Sequence, residues 1–217
     1  MRIDPAAVPF IGGALALAFV AAASGYWLVA APFMLLAAFF LYFFRDPHRL
    51  APSADDVVVS PADGRVLVAG PAVAEGAPPG VWHQVSIFLS PTDVHVNRIP
   101  VSGRVTQVSF KPGRFLPAYR HDAGSVNERS EIWIDHRGQP VVARQIVGIM
   151  ARRVVCRVAS GADVRAGDRY GIMKFGSRMD VFVPPDATIT VSVGDRVRGG
   201  ETVIAVLHSI EGPGAPC

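Results

Sequence analysis

The sequence predicts a mainly β domain, barrel- or sandwich-like, preceded by an apolar helical hairpin. Three observations lead there. Residues 5–44 contain no Asp, Glu, Lys or Arg. Beyond residue 50 the chain becomes a succession of short β-branched runs separated by Gly, Pro, Asp and Ser. Two turn phrases recur among those runs.

The uncharged stretch is too long for one helix of a soluble domain, and it divides at Ser24-Gly25. Its first part, 7–23, is rich in Ala and Gly and near the lower length limit for crossing a bilayer; the second, 26–44, ends in Phe39-Phe40-Leu41-Tyr42-Phe43-Phe44, the composition of an interfacial aromatic belt. A cleavable signal peptide competes for the first part, since Ala21-Ala22-Ala23 offers a small-residue site, but the preceding region holds only Arg2, offset by Asp4. Arg2 on one flank, Arg45 and Arg49 on the other and no charge in the turn place both ends on the cytoplasmic side of a cell (inner) membrane. The expected organisation is a membrane-anchoring hairpin over 1–50 and a β domain over 51–217.

Strands are expected at 57–59, 65–68, 81–89, 104–110, 131–135, 141–146, 153–158, 180–183, 188–193 and 202–207. Ile132-Trp133-Ile134 and Val154-Val155-Cys156 lack polar alternation, as in strands covered on both faces. Gly64-Arg65-Val66 returns as Gly103-Arg104-Val105, and Val164-Arg165-Ala166-Gly167-Asp168 echoes Val197-Arg198-Gly199-Gly200-Glu201. Such repetition suggests related barrel units, with turns similar to those of biotinyl and lipoyl hammerhead domains.

Composition excludes several classes. A formal charge of +3, with Lys111 and Lys174 the only lysines among 21 basic residues and no basic run, argues against nucleic acid as a partner. Cys156 and Cys217 supply no disulfide framework, and His48, His83, His95, His121, His136 and His208 have no metal-ligand spacing, so no metal site is expected.

The chemistry points to Gly176-Ser177, in an extended segment between two β-like runs. A serine hydroxyl can attack the carbonyl before it, and a preceding glycine lets the backbone reach the strained geometry this needs. The dipeptide alone is weak, because Gly124-Ser125 repeats it. Its context is more specific: Phe44-Arg45-Asp46-Pro47, Ser60-Pro61-Ala62-Asp63-Gly64, Phe88-Leu89-Ser90-Pro91-Thr92-Asp93-Val94-His95-Val96-Asn97-Arg98, Asn127-Glu128-Arg129 and Arg169-Tyr170-Gly171-Ile172-Met173-Lys174-Phe175-Gly176-Ser177-Arg178 follow in order. From about residue 44 to 208 the chain resembles the short form of phosphatidylserine decarboxylase, a pyruvoyl-dependent, self-processing membrane enzyme.

That resemblance implies cleavage between Gly176 and Ser177 into a β chain, 1–176, and an α chain, 177–217, with Ser177 converted to a pyruvoyl group that forms a Schiff base with phosphatidylserine. It implies His95 as the proton-transfer residue and Asp63 as the aspartate that orients it, completing an Asp-His-Ser set with Ser177. Longer family members carry a second histidine where this chain has Arg98, expected to act as a fixed cation. The basic and aromatic loop 111–121, with Arg114 and His121, reads either as a solvated loop or as a lipid-contact loop. Expected partners are phosphatidylserine, the bilayer, the paired α and β chains and a second copy of the chain in a homo-oligomer. The rival readings are a membrane-anchored biotinyl/lipoyl-like barrel acting as carrier or adaptor, suggested by Met173-Lys174-Phe175, and a hydrolase using Ser177 with Lys174.

Overall fold

The computed structural model describes residues 2–73, 76–149, 154–173 and 176–208; Lys174, Phe175 and Cys217, singled out from the sequence, lie outside them. The chain opens with β1 (Arg2–Ile3), a 3-10 turn at Pro5–Ala7, α1 (Val8–Ala23), α2 (Trp27–Phe43) and β2 (Arg45–Asp46). Gly25, at φ +81°, makes the turn between the helices. The two helices meet through small residues, Ala14, Ala18, Ala30 and Ala37, all buried, which allow close approach. Their outer faces expose Leu15, Phe19, Trp27, Leu28 and Leu35. A helix apolar on every side suits lipid better than water.

Two packed helices occupy the stretch expected to form a hairpin, and they differ in length. Among the described residues only Pro5–Ala23 is long and apolar enough to cross a membrane; Trp27–Phe43 falls short of that length. The base of the hairpin is tied shut by β1 against β2 and by Asp4 N–H donating to the Phe44 carbonyl (3.0 Å). Asp4 also holds Arg157, and Asp46 holds Arg98 and Arg169, so ion pairs built on two buried aspartates fasten the hairpin to the β domain.

The remaining elements are β3 (Val57–Val59), β4 (Gly64–Pro71), β5 (His83–Leu89), β6 (Val96–Arg98), β7 (Gly103–Lys111), the short α3 (Ala123–Val126), β8 (Arg129–His136), β9 (Gln139–Ile146), β10 (Val154–Cys156), β11 (Asp163–Val164), β12 (Arg169–Met173), β13 (Ser177–Val183), β14 (Thr188–Ile189), β15 (Arg196–Val197) and β16 (Val203–Val206). The main sheet has eight antiparallel strands in the order β11-β7-β8-β9-β13-β5-β4-β15, accompanied by two three-stranded sheets, β10-β12-β6 and β14-β16-β3. One apolar core, including Val66, Ile87, Leu89, Ile134, Tyr170, Met179 and Ile204, lies on the inner face.

The sheet is internally repetitive, and the repeated phrases mark equivalent places. Gly64 and Gly103 open β4 and β7, and at each a Cβ would overlap a partner carbonyl, that of Phe88 or Asp135. Val197 pairs with Gly64 as Val164 pairs with Gly103. Counting outward in register, Ser177 opposite Leu89 holds the place that Gln139 holds opposite His136. Gly176 (φ +67°) is thus the counterpart of Gly138 (φ +85°) in the β8–β9 hairpin turn.

Candidate active site

Ser177 is the first residue of β13, which lies between β5 and β9 in the middle of the sheet. Side chains alternate along a strand, so Met179, Val181 and Val183 enter the core with Ser177, while Arg178, Asp180 and Phe182 face the other way. Ser177 is fully buried, yet its Oγ has no hydrogen-bond partner among the described residues. Leaving such a group unpaired costs about 1–3 kcal/mol, a cost that a purely structural serine would avoid. The preceding Gly176 is left-handed, where a side chain would be strained.

His95 is also fully buried. Its Nδ1 lies 3.0 Å from the Asp93 carbonyl, which can only accept, so the proton sits on Nδ1 and Nε2 carries the lone pair. Nε2 is sealed from solvent and has no partner among the described residues. Burial, reinforced by the positive charge of Arg45 and opposed by the Asp93 carbonyl, lowers the imidazole pKa to about 4. At neutral pH the ring is uncharged and able to accept a proton. The His95 carbonyl accepts from Met173 N–H (3.3 Å), which sets the histidine backbone beside the end of β12, four residues before Ser177.

The inner face holds two more polar side chains. Asn97, two residues from His95 and so on the same side of that extended run, accepts from Gln145 Nε2 (2.8 Å). Gln145 is the cross-strand partner of Met179. An amide pair joined by one bond leaves one acceptor and one donor free, here Gln145 Oε1 and Asn97 Nδ2, and both are buried. Among the described residues, Ser177, His95, Asn97 and Gln145 thus each bury a polar atom without a partner, and Asn97 and Gln145 are in direct contact.

The hydrogen bonds of Asp63 go to residues other than His95. Its Oδ2 accepts from Arg49 (2.8 Å) and its Oδ1 from Gly199 N–H (2.7 Å). Burial raises its pKa against the pull of Gly199 and Arg49, and the nearby Asp93 carboxylate pushes the same way as burial. Arg98 donates to Asp46 (2.8 Å), to the Pro47 carbonyl (2.9 Å) and to the Gly167 carbonyl (3.0 Å), so its guanidinium is engaged within the protein. Arg114 is exposed on its loop. His121 lines a cavity of about 270 Å³ with Gln84, Ser125, Arg178 and Asp180, on the face of β13 opposite Ser177.

Sequence reasoning passed over several residues of this region. Phe43 stacks on His95 with ring centroids 4.1 Å apart, and its only sequence signal was its place at the end of the aromatic belt. Asn97 sat inside a quoted phrase without a role. Gln145 is the lone uncharged polar residue between Val141 and Ile149, a signal that could have found it.

A sealed serine behind a left-handed glycine and a sealed, uncharged histidine are features that suit an enzyme. These side chains suit conversion of Ser177 into a covalent group, since its hydroxyl is committed to nothing else. The sequence model of the phosphatidylserine decarboxylase family matches residues 36–205. Phosphatidylserine decarboxylase proenzymes of Prosthecochloris aestuarii (43% identity, 82% of this chain and 81% of the relative), Nitrosomonas europaea (42%, 92% and 93%) and Desulfotalea psychrophila (39%, 91% and 92%) are similar along most of their length. The chain belongs to the phosphatidylserine decarboxylase family. Its relatives give no support to the carrier alternative.

Proposed function

We propose that this chain is a self-processing decarboxylase that converts phosphatidylserine into phosphatidylethanolamine and CO₂. The observation that supports the reading is a fully buried Ser177 whose Oγ has no partner among the described residues, directly after a left-handed Gly176, in a chain that also buries an unpartnered His95 Nε2. In maturation, His95 Nε2 takes the hydroxyl proton as Oγ bonds to the Gly176 carbonyl carbon. The Gly176–Ser177 C–N bond breaks and its nitrogen regains a proton, leaving an ester. Loss of the Ser177 Cα proton with rupture of the Cβ–O bond frees the Gly176 carboxylate. Water then replaces the nitrogen, which departs as ammonia.

The pyruvoyl group thereby left at the head of 177–217 supplies an electron sink for decarboxylation. His95 remains the proton carrier beside it. Asp63 enters as a positioning residue, holding Arg49 and the Gly199 turn in place. Arg114 and His121, both exposed, are proposed headgroup contacts. The apolar hairpin anchors the protein in the inner membrane with the β domain on the cytoplasmic side, where phosphatidylserine is the substrate at the interface.

The test is release of CO₂ from carboxyl-labelled phosphatidylserine in vesicles. Wild-type protein is expected to release it, and Ser177→Ala is expected to remain one chain and release none. A wild-type protein active as a single uncut chain would overturn the reading.

A further inference from the structure

We propose that Gly148 is a positioning residue for maturation: its bare Cα is the wall against which the reacting Gly176 carbonyl rests. This rests on cleavage at Gly176-Ser177 as proposed above. A Cβ built on Gly148 would overlap the Gly176 carbonyl oxygen, would stand 3.1 Å from its carbon, and on its other side would meet Ala118 Cβ at 3.4 Å. Only hydrogen fits between the two. Gly148 has no left-handed φ, so its backbone would accept alanine; the obstacle is the carbonyl alone.

The wall is held from behind. Asn127, fully buried, donates Nδ2 to the Val147 carbonyl (2.8 Å) and to the Leu116 carbonyl (2.8 Å), and accepts from Leu116 N–H (3.1 Å). Val147 N–H donates to the Glu128 carbonyl (3.1 Å). The segment after β9 is therefore clamped on both sides of residue 147, and Gly148 cannot retreat freely from the carbonyl. Attack by Ser177 Oγ requires the carbonyl carbon on its trajectory, and a misplacement of about 1 Å can cost roughly 100-fold in rate. A methyl group at residue 148 forces a shift of that order.

The experiment follows precursor and fragments of the full chain in membranes by pulse-chase and denaturing electrophoresis. Gly148→Ala is expected to slow fragment formation about 100-fold, with the pH midpoint of processing unchanged because His95 is untouched. Hydroxylamine, which cleaves esters, is expected to release no 177–217 fragment from it, since the block precedes ester formation. Asn127→Ala, which adds no atom at the carbonyl, is expected to slow the same step about 10-fold by loosening the wall. Processing of Gly148→Ala at the wild-type rate, or its accumulation as a hydroxylamine-labile ester, overturns the inference. Should that variant fail to fold, wild-type processing in Asn127→Ala overturns it instead. If wild-type protein itself is never cut, the proposed function fails, a different result from a variant cut as fast as wild type.

Discussion

The ring of Phe43, the last residue of α2, lies 4.1 Å from the ring of His95, centroid to centroid. The apolar hairpin thus ends on the imidazole it dehydrates. Phe43→Ala is expected to admit water and let the His95 pKa climb from about 4 back toward 6.5. Maturation in wild type should hold its rate down to about pH 5, whereas in Phe43→Ala it should fall by half near pH 6. Rates of fragment formation across pH 4 to 8 check this; superimposable profiles would separate Phe43 from the titration.

The same histidine leaves a stability signature. Between about 4 and 6.5 the unfolded chain takes up a proton that folded His95 does not. Stability should therefore decline as pH falls through that window and be constant above it, as far as this group decides. Replacement by an uncharged residue, His95→Gln, should flatten the decline and also leave the precursor uncut. Thermal unfolding against pH, with electrophoresis alongside, reads both.

Arg98→Ala is expected to act on folding before substrate binding. It leaves Asp46, whose side chain is 5% exposed, with Arg169 as its remaining ion-pair partner, and removes contacts to Pro47 and Gly167. Breaking a buried pair from one side costs about 3–5 kcal/mol when the other charge is left alone; with Arg169 still on Asp46 the loss should be smaller, yet the unfolding midpoint should drop. An Arg98→Ala protein of wild-type stability whose KM alone rises would assign Arg98 to the headgroup.

Asp63→Asn tests the third member of the proposed set. Asn keeps an acceptor for Gly199 N–H but loses the charge that holds Arg49, so maturation should slow less than in His95→Ala while stability falls. Slowing as complete as in His95→Ala, at unchanged stability, would mean that Asp63 reaches the imidazole during the reaction.

Fold class was legible because its signals are local: charge-free length for the hairpin, and punctuated β-branched runs for the strands. The Gly-Arg-Val phrases could be read as repeats because close backbone approach at Gly64 and Gly103 forbids a side chain at both. What the sequence could not show was pairing. Asp63 and His95 stand in neighbouring phrases, yet the imidazole donates its hydrogen bond to the carbonyl of Asp93, two residues away. Gln145 reaches Asn97 only because β9 and β6 face each other across the core. Gly148 gains meaning only from the register that sets it against Gly176.

Because β13 is bonded on one side to β5 and on the other to β9, the fragment 177–217 should remain in place after cleavage. Size exclusion in mild detergent is expected to give one particle containing both chains, separable only by denaturation. Spontaneous loss of the small chain would be incompatible with its central place in the sheet.

Intact mass measurement of the purified wild-type protein addresses the central claim most directly. Two chains are expected, ending at Gly176 and beginning at position 177, with the smaller one lighter by one ammonia than simple hydrolysis would give and closed to amino-terminal sequencing. A single uncut chain, or a small chain beginning with an intact Ser177, would contradict the account.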